Sequence, residues 1–263
     1  MNGNRMIPVL AVLNLLAFLA TITVNGLANA LPINGVTTGQ LSDLYPNLFV
    51  PAGFTFAVWG VIYLLLGAFT FYQLLPTARK TVEEAYFIRR IGHFFIITCL
   101  SNTGWIFAWH YQMLAVSLGL MLVLLGGLLA IYLRLGIGKV EATSRERYLV
   151  HLPFSVYLGW ITIATIANVT ALLVDMNWGG FGLSDQFWAV AVIVVGIGIG
   201  LAVVFTRRDT FYGLVVEWAI VGILVKRLTV ESEPIYSVIA VCIAGLVIIG
   251  GAIAFQVLRR TVY

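Results

Sequence analysis

Charged side chains are scarce in this chain: 11 acidic and 15 basic residues make up 10% of its 263 positions, against roughly 25% in an ordinary soluble domain. That shortage excludes a water-soluble globule, because a core of this length needs a polar shell and there are too few charges to build one. Cysteine is nearly absent as well. Cys99 and Cys242 both fall inside apolar runs, which excludes a disulfide framework and marks them as small buried hydrophobes. The three histidines, His93, His110 and His151, show no HExxH or other ligand spacing, so no metal is expected. Phosphate loops, nucleophile elbows and conventional acid/base constellations are also missing. Enzymatic activity therefore stays open, with the balance against it. The formal charge of +4 raises nucleic acid as a partner, but no basic helix face or basic run with interleaved aromatics accompanies it, and none is expected.

What the chain has in quantity is apolar sequence: 61% hydrophobic residues and a mean hydropathy of +1.00. Lipid is the solvent and the bilayer the first partner. Eight runs are long enough to cross a hydrocarbon layer of about 30 Å at about 1.5 Å per residue. They cover approximately residues 6–31, 54–75, 93–112, 115–135, 149–174, 186–206, 211–228 and 235–258. The runs are continuous rather than alternating, so the expected fold class is all-α: a polytopic integral membrane helical bundle of about eight transmembrane helices.

Basic residues set the orientation. Counting from a cytoplasmic N-terminus, the inner segments hold Arg5; Arg79, Lys80, Arg89 and Arg90; Arg134, Lys139, Arg145 and Arg147; Arg207 and Arg208; and Arg259 and Arg260, which is thirteen of fifteen. Only Lys226 and Arg227 fall outside, and segments 32–53 and 176–185 carry no Lys or Arg. Both termini are expected in the cytoplasm. The first run ends in the small residues Ala28 and Ala30, in the manner of a signal-peptide cleavage site. It is longer than a typical signal core, so it is expected to remain as a span.

Several tryptophans depart from a simple interfacial belt. Trp178 and Trp188 fit such a belt, whereas Trp59, Trp105 and Trp160 each belong to a polar-aromatic stripe. At about 100° per residue, Tyr157, Trp160, Ala164 and Asn168 fall within about 80° on the fifth span, with Pro153 at its edge. Asn102, Trp105 and Trp109 form a stripe on the third span, and Thr55, Phe56, Trp59 and Tyr63 on the second. Facing lipid would leave the amide and indole donors unpaired at a cost of several kcal/mol, so the stripes are expected to turn inward. Two outcomes follow from that: a common cavity, or helix packing with the Asn amides bonded between helices.

These stripes lie in motifs that resemble the tryptophan-rich sensory protein / translocator protein (TspO) family. Val50–Tyr63, VPAGFTFAVWGVIY, is similar to the family's second-helix motif, although Ala57 stands where a proline is usual and Thr55 where a phenylalanine is usual. LSNTGW, Leu100–Trp105, resembles the third-helix asparagine with an aromatic three residues on. LPFSVYLGWITIATIAN, Leu152–Asn168, resembles the fifth-helix pattern of Pro, Tyr, Trp, Ala and Asn, with a longer interval from proline to tryptophan. The resemblance divides the chain into a TspO-like five-helix bundle over 1–178 and a three-helix extension over 179–263. It implies an often dimeric bundle, hence a homodimer, in the cell membrane of a prokaryote. It also implies a cavity opening toward the first loop for porphyrins and other flat hydrophobic molecules, so that the ligand is a tetrapyrrole such as protoporphyrin or heme. Tyr45, Pro51, Phe56, Trp59, Tyr63, Asn102, Trp105, Tyr157, Trp160, Ala164 and Asn168 are the expected ligand-binding residues. Loop 32–53 is long, free of basic residues and marked by Tyr45, Pro46, Phe49 and Pro51, as a lid would be.

The extension contributes Glu217, the one acid well inside a span. An ionisable group at that depth is a functional candidate for proton coupling, or a structural acid bonded to neighbouring helices. Lys226 and Arg208 lie nine residues away, on the opposite side of its helix, so its partner has to come from elsewhere. Gly196 with Gly200, Gly126 with Ala130, and Ala240 with Ala244 are spaced for close helix packing. The leading expectation is a membrane receptor, sensor or carrier for a planar hydrophobic ligand. The alternative is a small-molecule transporter, proton-coupled through Glu217. Some TspO relatives are associated with porphyrin breakdown, which keeps a third, enzymatic reading in view.

Overall fold

A computed structural model describes residues 3–31, 33–75, 86–229 and 233–261, with side chains from residue 7 to residue 259. Arg79 and Lys80 of the expected inner charge cluster lie outside the described residues, as do the side chains of Arg5 and Arg260. The protein is an all-α polytopic membrane protein, with no strand among the described residues. Its helices are α1 (Gly3–Ala30), α2 (Thr38–Asp43), α3 (Val58–Tyr72), α4 (Tyr86–Ile91), α5 (Phe94–His110), α6 (Leu114–Leu135), α7 (Ser144–Glu146), α8 (Leu152–Asp175), α9 (Asp185–Arg207), α10 (Thr210–Thr229) and α11 (Tyr236–Thr261).

All eight expected spans are helical, and six are long and apolar enough to cross a membrane by length and composition alone: α1, α3 with the turn before it, α6, α8 with its preceding turns, α9 and α11. Two fall short for identifiable reasons. Gly92, at φ +54°, breaks the chain between α4 and α5, which leaves α5 with 17 residues, about 25 Å at 1.5 Å per residue. Helix α10 is 20 residues long but carries Glu217, Lys226 and Arg227. Large apolar side chains such as Leu64, Leu100 and Val247 remain exposed on the helix surfaces, where lipid can cover them.

The chain forms two compact units that do not follow its order: Met1–Thr38 with Trp59–Leu158, and Gly39–Val58 with Gly159–Tyr263. The first unit packs α5 along α6 and α1. At Gly127 of α6, a Cβ would stand 2.8 Å from the Thr98 methyl of α5, whereas at the neighbouring Gly126 it would meet nothing within 4 Å. Gly127 is therefore the close-packing residue, one position from the expected pair. A fully buried cluster holds four helices together: Phe69 of α3 makes edge contacts with Phe87 of α4, Phe95 of α5 and Phe154 of α8 at centroid distances of 6.3, 5.3 and 5.0 Å.

In the second unit, α10 packs against α11 and α9. Gly196 and Gly200 lie under Ile163 of α8 and Val216 of α10, each 3.3 Å from where a Cβ would be, as their spacing predicts. The Tyr212 hydroxyl donates to Thr162 Oγ1 at 2.8 Å and ties α10 to α8. Helix starts are capped locally: Ser184 accepts from the Phe187 N–H at the start of α9, and Asp209 from the Tyr212 N–H at the start of α10.

The first loop belongs to this second unit from Gly39 onward, and α10 holds it. The Ala52 N–H donates to the Gly222 carbonyl at 3.0 Å, and the Trp218 indole N–H donates to the Thr55 carbonyl at 2.9 Å. Phe54 meets the Trp218 ring edge-on at 5.5 Å, and Lys226 forms an ion pair with Asp43. Lys226 and Arg227, the two exceptions to the charge bias, are both engaged in structure: one pairs with the loop, and the other is 3% exposed.

Candidate functional site

The eleven expected binding residues divide between the units. Trp59, Tyr63, Asn102, Trp105 and Tyr157 fall in the first; Tyr45, Pro51, Phe56, Trp160, Ala164 and Asn168 fall in the second.

In the first unit they come together. Trp59 of α3 stacks on Tyr63 one turn along (5.7 Å between centroids, 19° between planes) and on Trp105 of α5 (5.8 Å, 30°). Trp105 in turn stacks on Trp109 (5.9 Å, 18°), and Tyr157 of α8 meets Trp59 edge-on at 6.0 Å. The result is a column of rings supplied by three helices. Trp105 and Tyr157 are buried and Trp59 is half-buried. The Trp109 indole N–H donates to the Thr38 carbonyl at 3.2 Å, at the start of α2. The Trp105 indole N–H is buried with no hydrogen-bond partner among the described residues, an arrangement that costs about 1–3 kcal/mol when nothing accepts the donor.

A polar relay runs beside the column. Asn25 Nδ2 of α1 donates to Asn102 Oδ1 at 2.7 Å, and Asn102 Nδ2 donates to the Tyr157 hydroxyl at 2.9 Å. Both ends of the Asn102 amide are therefore engaged between helices, so its first role is to set the spacing of α1, α5 and α8. Asn25 was missed in the sequence, as were its companions. Thr21 donates to the Cys99 carbonyl at 3.1 Å, and Asn14 Nδ2 to Gln73 Oε1 at 3.0 Å. The signal was present, since Asn14, Thr21 and Asn25 fall within about 40° on one face of α1.

In the second unit Phe56 meets Trp160 edge-on at 6.0 Å. The expected stripe Thr55–Phe56–Trp59–Tyr63 changes character at Val58, because Gly53–Ala57 is a 3-10 turn and the α-helix begins only after it. Thr55 and Phe56 therefore present themselves at a different angular step from Trp59 and Tyr63. Pro51 is buried in the extended stretch before that turn. Ala164 is half-buried and Asn168 buried, one and two turns beyond Trp160 on α8. Tyr45 is buried after α2. Burial pushes its phenol above the ordinary tyrosine value, and the negative charge of Asp175 adds to that shift.

Glu217 lies in the second unit. It is half-buried on α10, with Oε1 3.0 Å from where a Cβ on Gly250 of α11 would lie, and no hydrogen bond or ion pair reaches it among the described residues.

A family model described as TSPO-like protein matches residues 11–255 and thus runs through α9, α10 and most of α11 as well as the first five spans. No curated protein and no solved structure matches the chain.

Proposed function

Since the chain belongs to the TSPO-like protein family, whose members act as membrane sensors or transporters, we propose that it is a receptor or carrier for a flat, hydrophobic, tetrapyrrole-like ligand such as protoporphyrin or heme. The observation that carries this reading is the buried Trp105 N–H without an acceptor, set in a column of stacked rings. A planar conjugated ligand entering beside Trp59 exchanges ring-on-ring contacts for ring-on-ligand contacts of the same kind, so the exchange costs little, and an acceptor on its rim satisfies the indole donor. Asn102 acts indirectly, by holding α1, α5 and α8 in place. Orientation with both termini in the cytoplasm of a prokaryotic cell, and assembly as a homodimer, complete the reading. Reporter fusions at each end check the first, and cross-linking in native membranes the second.

The binding test is quenching of tryptophan fluorescence in the purified full chain on titration with protoporphyrin IX. Trp59→Ala is expected to abolish saturable quenching. Trp105→Phe keeps one aromatic ring but loses the donor together with part of the indole face, so it is expected to weaken binding by at least about tenfold, the worth of one hydrogen bond. Unchanged affinity in both variants would remove the basis of the proposal.

One observation favours a second reading, proton-coupled transport: Glu217 is an acid in a membrane helix with no partner among the described residues, beside a glycine that leaves it room. Substrate uptake into proteoliposomes should then depend on a pH gradient and lose that dependence in Glu217→Gln. Uptake indifferent to both would exclude it.

A further inference from the structure

A cavity of about 280 Å³ lies wholly within the second unit, walled by Pro46–Phe49 of the first loop, the last turns of α8 with Trp178, and the first turns of α9 from Asp185 to Val192. Its walls are built rather than incidental. The Asn47 side chain folds the loop wall onto itself, accepting from the Phe49 and Val50 N–H groups at 3.0 and 3.1 Å and donating to the Tyr45 carbonyl at 2.9 Å. Opposite, Trp188 donates its indole N–H to the Gly180 carbonyl at 2.9 Å and packs on Trp178 with ring centroids 4.9 Å apart. Gly180 sits at φ +60° and a Cβ there would press on the Trp188 indole at 3.2 Å, so the turn is shaped to fix this ring.

The electrostatics of the cavity are one-sided. Among the described residues Asp185 is the only charged one in its lining, and its carboxylate has no hydrogen bond or ion pair there. Among the described residues no Lys, Arg or His lines the space, segments 32–53 and 176–185 contain none of them, and Lys226 is engaged with Asp43. An acid in the first turn of a helix complements the helix dipole, which explains the residue type but not its place in the wall of a cavity with no neutralising cation. Two indoles and one free carboxylate around a small space are the elements that recognise an alkylated ammonium: aromatic faces attract the cation through their quadrupoles, and the carboxylate balances its charge. The volume is at the low end of small-molecule sites, enough for a trimethylammonium group with a short or aromatic substituent and too small for a tetrapyrrole.

We propose that this cavity is a binding site for an organic ammonium cation, held between Trp178, Trp188 and the carboxylate of Asp185. The cation comes either from a free amine or from the choline headgroup of a lipid, because the cavity is built from the ends of membrane-spanning helices. The full chain in dodecyl maltoside, which carries no ammonium, is titrated calorimetrically with benzyltrimethylammonium and with its uncharged isostere neopentylbenzene. Saturable binding of the cation, at least tenfold weaker binding of the isostere, and at least a tenfold loss in Asp185→Asn are expected. Asp185→Asn keeps the side-chain shape, and Trp178→Phe should weaken binding by a smaller factor without removing the wall. Equal binding of the isostere, unchanged affinity in Asp185→Asn, or no saturable binding in a folded wild-type chain overturns the proposal. In phosphatidylcholine nanodiscs the apparent affinity for the probe falls severalfold relative to nanodiscs of an uncharged galactolipid, which has no ammonium and no net charge to attract the probe, if headgroups occupy the site. It is the same in both if the ligand is a free amine. Protoporphyrin quenching should be unaffected by Asp185→Asn, which separates failure of this site from failure of the aromatic column.

Discussion

Replacing Gly222 with alanine tests whether α10 holds the first loop. A Cβ at this position would stand 2.0 Å from Thr55 Oγ1, 2.8 Å from its Cγ2 and 2.9 Å from its Cβ. Thr55 is fully buried and cannot swing into open space. Its backbone is pinned by the bonds from Ala52 to Gly222 and from Trp218 to Thr55. The chain then has two options. Forcing the methyl in costs up to about 3 kcal/mol of overpacking. Letting the loop detach costs about 1 kcal/mol for each of two hydrogen bonds, plus about 0.5–1.5 kcal/mol for the Phe54–Trp218 edge contact. Alanine returns up to about 1 kcal/mol through its better helix propensity, which leaves a net loss of about 2 kcal/mol by either route. For a chain of this size that lowers the apparent Tm by about 4–8 °C, read from tryptophan fluorescence during heating in detergent. Limited proteolysis should show new cleavage between residues 39 and 58. Thr55→Ala removes the two side-chain atoms beyond Cβ and should restore about half of the loss in the Gly222→Ala background. Gly126→Ala, where nothing lies within 4 Å, should cost nothing. A Gly222→Ala protein that melts within 1 °C of wild type and resists the protease equally would refute the assignment of α10 as the loop's anchor.

The Asp43–Lys226 pair should contribute little, because Asp43 is 57% exposed and exposed pairs are worth about 0–1 kcal/mol; Asp43→Ala is expected to lower the apparent Tm by less than about 3 °C, with the difference vanishing in 1 M salt. Asn102→Ala breaks both bonds of the relay through Asn25 and Tyr157 and should cost about 1–3 kcal/mol in total, measured by the same melt, and adding Asn25→Ala should cost less than Asn25→Ala alone, because only its bond to the Thr21 carbonyl is then left to lose. The Tyr45 phenol has a raised pKa in the folded protein, so the native state keeps this proton after the unfolded chain has begun to lose it. Its contribution to stability is fully present below the ordinary tyrosine value near 10 and is lost as pH rises from there toward the folded value. The fall in Tm between pH 9 and pH 11 should therefore be shallower in Tyr45→Phe than in wild type, and Asp175→Asn should move it in the same direction by a smaller amount.

The spans were legible because lipid imposes one strong rule, continuous apolar length, and each of the eight helices lies within a few residues of its apolar run. The second span shows where that rule stops. Hydropathy runs smoothly through Phe54, Thr55 and Phe56, yet those residues form a 3-10 turn, because the Ala52 and Thr55 backbone groups are claimed by Gly222 and Trp218, more than 160 residues away in the chain. Trp178 and Trp188 satisfied the aromatic-belt expectation so readily that nothing in their spacing pointed to the turn at Gly180 that brings them together. Trp59, Trp105 and Tyr157 were within reach, since an indole on the polar stripe of an apolar helix has few places to go in lipid.

The glycines mark the deeper difficulty. A packing motif such as Gly196 and Gly200 is readable because two small residues repeat at helical spacing, but a single glycine carries no period. Gly126 and Gly127 are indistinguishable in sequence, and only the angular position of α6 against α5 decides that one meets Thr98 and the other open space. Gly222 is the extreme case. Its only signal is a missing side chain, and what the absence permits, a loop pressed onto a helix at hydrogen-bonding distance, is written in residues 52 to 55. Where a close approach is made by removing atoms, the sequence records the removal and leaves the partner unnamed, so the loop's attachment to α10 had to be seen in three dimensions.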